Sequence, residues 1–138
     1  MPFNKTVLTV MKQWDYGRPE RGVSVDKSCF GATLSELVSK VETIWYDEYL
    51  DNLADLQFLI RKRADEMSPD LIFFVPQHKH EFEVETLKYL TERFPTMVWF
   101  GDDEWRFESF SSQIAPYFTH VVTTDPWSVD KYVDLGVN

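Results

Sequence analysis

Apolar residues fall along this chain in two alternating rhythms. Short continuous runs, Lys5–Met11 (KTVLTVM), Val41–Tyr46 (VETIWY), Leu71–Val75 (LIFFV), Met97–Phe100 (MVWF) and His120–Thr124 (HVVTT), read as strands. Between them apolar positions recur at helical spacing. Phe30, Leu34, Leu37, Val38 and Val41 predict a first helix over roughly 24–40, capped by Ser24 with Asp26 in its first turn. Leu53, Leu56, Leu59, Ile60, Ala64 and Met67 line a second helix, and Val84, Leu87, Leu90 and Phe94 a third. Phe107, Phe110 and Ile114 give a short fourth helix closed by Pro116. Asp125-Pro126 opens a last one that runs toward Gly136. Five strands alternating with helices predict an α/β, three-layer αβα sandwich with a five-stranded parallel sheet, in a single domain over 1–138.

In such sheets ligands sit outside the carboxyl ends of the strands. With the Rossmann-like order 3-2-1-4-5, strands 1 and 4 would be neighbours, and the loops Trp14–Gly22 and Gly101–Arg106 would face each other across one crevice. Those loops hold the unusual residues. Asp102 and Asp103 suit a general base or sugar-oxygen contacts. Trp14, Tyr16 and Trp105 offer flat apolar faces, and Arg18, Arg21 and Arg106 offer bidentate anion contacts. The plainer alternative is that one aspartate caps the fourth helix while an arginine pairs with the other. Asp103 is expected to be the crevice residue of the two.

Charge and composition narrow the field. The formal net charge of −9 argues against nucleic acid, whose binding rests on Lys and Arg at phosphates. No run approaches the roughly 20 apolar residues of a membrane span. The one cysteine, Cys29, fits a reducing, cytoplasmic setting and is expected to be a buried thiol. The loop after strand 1 is neither G-x-G-x-x-G nor a Walker A loop, so dinucleotide or triphosphate binding there is not expected. Asp47 reads as a turn residue, and His78 and His80 as a solvated turn too sparse for a metal site.

The segment Tyr16-Gly17-Arg18-Pro19-Glu20-Arg21-Gly22-Val23-Ser24 resembles the opening of the CgeB-like (spore maturation protein) glycosyltransferases. The similarity continues through Glu85-Thr86-Leu87, the block Trp99-Phe100-Gly101-Asp102-Asp103-Glu104-Trp105-Arg106-Phe107, and Val122-Thr123-Thr124-Asp125. It ends with Tyr132, Gly136 and Asn138. The resemblance implies the N-terminal, acceptor-side domain of a two-domain GT-B enzyme. A nucleotide-sugar donor would be held mainly by a second domain and a hydroxyl acceptor by this one. Asp102 or Asp103 would be the base, with Trp14, Tyr16, Gly17, Arg21, Gly22, Trp105, Arg106, Thr124 and Asp125 binding substrate. No cofactor and no metal are implied. The chain stops about where a sixth strand and second domain would begin, so turnover is expected to need that domain. The exposed crevice is expected to promote self-association. The rival expectation is a non-catalytic binding module for a glycan or a protein partner.

Overall fold

The computed structural model describes residues 1–138, and its five strands form one parallel sheet. They are β1 (Phe3–Met11), β2 (Val38–Trp45), β3 (Leu71–Phe74), β4 (Thr96–Phe100) and β5 (His120–Thr123), in spatial order 2-1-3-4-5. The α/β class and parallel sheet are those the sequence predicts, but the order 3-2-1-4-5 is corrected. β1 pairs with β2 through Met11 opposite Trp45 and with β3 through Val10 opposite Phe74. β3 in turn pairs with β4 through Phe74 opposite Val98. The physical reason lies in the strands themselves. β2 carries Ser39, Lys40 and Glu42, which a sheet edge tolerates and an interior position does not. β3 is Leu-Ile-Phe-Phe, apolar on both faces, as an interior parallel strand requires.

The helices clothe the two faces unequally. One face carries α2 (Leu53–Met67), α3 (Val84–Thr91), the segment from α4 (Asp103–Arg106) through α5 (Ser112–Ile114), and α6 (Val129–Asp134). Their side chains join the sheet in a core of 20 buried residues centred on Leu8, Phe74 and Phe100. The other face carries only a π-helical stretch, Asp26–Gly31, running into α1 (Ala32–Leu37). Phe30 and Leu34 there pack on a cluster of four buried residues, Val7, Met11, Phe73 and Val75.

Local signals explain most of the boundaries. Ser24 accepts from Lys27 N–H at 3.0 Å, as its capping role predicts. Asn52 accepts from Asp55 N–H at the start of α2, whose buried stripe is Leu56, Ile60 and Ala64. Asp125 accepts from Trp127 N–H, Pro126 follows at the first helical position, and Gly136 takes φ +76°. Two expectations fail. The first helix stops at Leu37 rather than near residue 40, because β-branched Val38, Val41 and Thr43 pair with β1. Cys29 is exposed, since the π-helical stretch shifts the phase of its residues against ordinary helical counting. No helix is long and apolar enough to cross a membrane.

Candidate functional site

With β1 and β3 adjacent, the chain reverses direction across the sheet between them, and ligand crevices form at that switch point. The loop leaving β1 is prebuilt. The Asp47 carboxylate, just after β2, accepts from Gln13 N–H and Trp14 N–H at 3.0 Å each. Trp14 bridges Val23, and Asp15 N–H donates to Gly22 O, closing a hairpin that carries Tyr16 and Gly17. Tyr16 has φ +52° and Gly17 φ +70°. A side chain at Gly17 would both strain that turn and press on Leu50 at 3.3 Å. Arg21 pairs with Asp15 at 2.9 Å and lies over the Tyr16 ring.

The loop leaving β3 is held from inside. The Glu81 carboxylate accepts from Gln77 N–H at 2.8 Å and His78 N–H at 3.1 Å. Buried Gln57 on α2 completes it, donating to Glu81 O and accepting from Glu83 N–H. Lys12, the first residue past β1, reaches across to Gln77 Oε1 at 3.0 Å. Arg106 on α4 donates to Gln77 O, and its guanidinium lies 4.3 Å from the centre of the Phe110 ring.

Two cavities open along this edge. The first, about 550 Å3, lies between the β1 and β3 loops and is lined by Arg18, Arg21, His78, His80 and Glu81. The second, about 430 Å3, lies between the β1, β3 and β4 loops and is lined by Asp26, Trp99, Asp102, Trp105 and Arg106. Lys12, Tyr16, Gln77 and His78 line both, so the two form one groove.

The sequence-predicted residues divide accordingly. Tyr16, Gly17 and Arg21 line the first cavity, and Tyr16, Asp102, Trp105 and Arg106 the second. Trp14 and Gly22 stand behind the β1 loop as its supports. Thr124 follows β5, its N–H donating to Phe100 O, and Asp125 is spent on the cap of the last helix. Asp103 is the main correction. It is 0% exposed and accepts three hydroxyls: Ser111 at 2.5 Å, Thr123 at 2.6 Å and Tyr132 at 2.7 Å. Asp102 takes the left-handed conformation, φ +57°, which turns its neighbour inward and leaves Asp102 exposed on the groove. Neither aspartate caps α4 through its side chain or pairs with an arginine.

Sequence reading missed the β3 loop. Glu81 shows no local pattern, since the side chain that fixes its backbone, Gln57, is 24 residues away. Burial pushes its carboxyl up to about 7, against the Gln77 and His78 N–H groups and the charges of Lys12 and Arg106. Burial also raises Asp26 and lowers His78, the latter helped by Arg106, Lys12 and His80. No group of three or more His, Cys, Asp or Glu side chains is placed to hold a metal ion.

The Glu81 shift has a measurable consequence. Its folded value lies above the ordinary 4.5, so the native state holds a proton that the unfolded chain releases between those values. Stability from this group is full below pH 4.5 and is lost as pH rises through 7, by up to about 3 kcal/mol. Glu81→Gln should lose stability relative to wild type at pH 5 but approach or exceed it at pH 8. Urea unfolding of both proteins at both pH values isolates Glu81 from Asp26 and His78, and an unchanged difference refutes the assignment.

No protein-family model matches the chain, and no curated protein matches it.

Proposed function

We propose that this domain is the acceptor-side half of a nucleotide-sugar-dependent glycosyltransferase of the GT-B type, with the groove over β1, β3 and β4 holding the hydroxyl acceptor. The supporting observation is one groove that unites an exposed carboxylate, Asp102, with the aromatic faces of Tyr16 and Trp105 and the donors Lys12, Gln77 and Arg106. Aromatic rings take the apolar faces of a sugar, while fixed donors and acceptors orient its hydroxyls. Asp102 would accept the acceptor's hydroxyl proton as that oxygen attacks the anomeric carbon. The nucleoside diphosphate would leave toward a second, donor-binding domain. Trp105 is 72% exposed, an apolar face that a second domain or a second copy would bury.

Titration with mono- and disaccharides, followed by amide and indole NMR, tests the reading. The Trp99 and Trp105 indoles should shift at millimolar saccharide, while Trp127, exposed away from both cavities, stays still. Silence at Trp99 and Trp105 overturns it. Saccharide binding in a protein that supports no transfer with any donor domain assigns the groove to a binding module instead.

A further inference from the structure

Positive charge is distributed unevenly in this acidic protein. Half of its 14 Lys and Arg side chains are held in ion pairs, and of these only Arg21, bound to Asp15, lies on the groove. Among those without a carboxylate partner, Lys12 and Arg18 line the first cavity and Arg106 the second. Two of the three histidines, His78 and His80, line the first cavity as well and add ring N–H donors rather than charge. The one acid on its wall, Glu81, turns its carboxylate onto the Gln77 and His78 N–H groups. Its carboxyl, pushed up to about 7 by burial, is spent on those two N–H groups rather than on the cavity's cations. A concave wall of low dielectric then focuses the field of the remaining cations.

We infer that the first cavity is a phosphate site, and that the acceptor of the proposed transferase is a phosphorylated, hydroxyl-bearing compound whose phosphate sits against Lys12, Arg18, His78 and His80. This rests on the acceptor-side reading above. The donors come from three places: the end of β1, the β1 hairpin and the β3 loop. Donors arranged around a volume suit a tetrahedral anion with three free oxygens, whereas a carboxylate is met best by a single planar arginine fork. The phosphate anchors the ligand in the first cavity, and the shared wall of Lys12, Tyr16 and Gln77 leads its hydroxyls into the second, toward Asp102.

The experiment is NMR titration of the 138-residue chain with four probes at fixed ionic strength, because exposed charges are screened by salt. Inorganic phosphate should shift the Gln77 and His78 amides. Glucose 6-phosphate should bind at least about 10-fold more tightly than either phosphate or glucose, since two linked contacts share one association. Lys12→Met and, as an exposed position that leaves the fold intact, Arg18→Gln should each weaken phosphate about 10-fold. Lys131→Gln, on α6 and lining neither cavity, should leave inorganic phosphate nearly unchanged. Uridine diphosphate, the fourth probe, separates acceptor from donor chemistry. If it binds more tightly than glucose 6-phosphate, the acceptor assignment is overturned. Glucose shifting Trp105 with no gain from the phosphate overturns this inference and leaves the acceptor-side reading standing. Silence toward all four overturns both.

Discussion

Asp103→Ala is expected to destabilise the domain by about 3–5 kcal/mol, enough to threaten folding in a protein whose total stability is about 5–15 kcal/mol. The carboxyl of Asp103 is the shared acceptor of Ser111, Thr123 and Tyr132, and so ties α4 and the turn after it to β5 and α6. Removing it orphans three hydroxyls, two of them on buried residues, each with a penalty of about 1–3 kcal/mol. Burial and the bond to Asp103 hold the Tyr132 hydroxyl protonated far above its ordinary range, so Tyr132 remains a donor at any accessible pH. Asp103→Asn keeps one acceptor oxygen, and a hydroxyl can turn to accept from the new amide, so its loss should be smaller, about 1–2 kcal/mol. Urea unfolding of the two variants provides the check. A loss below 1 kcal/mol for the alanine variant means water replaces the carboxyl and the cluster is no tie.

The adjacent aspartate should behave in the opposite way. Asp102→Asn is expected to leave stability within about 0.5 kcal/mol of wild type while lowering the rate of the proposed sugar transfer, measured with a donor domain present, by about 10²–10⁴-fold. Asp102 is exposed and caps nothing, and asparagine is at home in the left-handed conformation found there, so the backbone is undisturbed. Only the basicity changes. Initial rates paired with unfolding midpoints separate the two aspartates. A near-normal rate for Asp102→Asn removes it from the chemistry and leaves the groove as a binding surface.

The contrast between these neighbours shows where sequence reading reaches and where it stops. Alternation of apolar runs with helical stripes makes the α/β class legible, because each element must bury one face whatever its neighbours do. Strand order depends on which strands share edges. The charged residues of β2 and the unbroken apolar run of β3 carried that information in the sequence, unweighed. The β1 and β4 loops still border one cavity, since β3 places only a single loop between them. Which of Asp102 and Asp103 faces solvent turns on one backbone angle, φ +57°, which no spacing rule encodes. Cys29 is exposed rather than buried for a similar reason, its segment being π-helical rather than α-helical. Glu81 and Gln57 meet only in three dimensions.

The unequal clothing of the sheet sets an order of opening. Local unfolding begins where few apolar contacts oppose it, and the layer Asp26–Leu37 rests on a far smaller buried cluster than the helices opposite. Asp26 belongs to that lighter layer and accepts from Lys12 N–H at 3.1 Å. That bond links the lighter layer to Lys12, one of the residues common to both cavities. The groove therefore has a floor of strands clamped by the heavier side and, at Ser24, Val25 and Asp26, a wall held by fewer buried contacts.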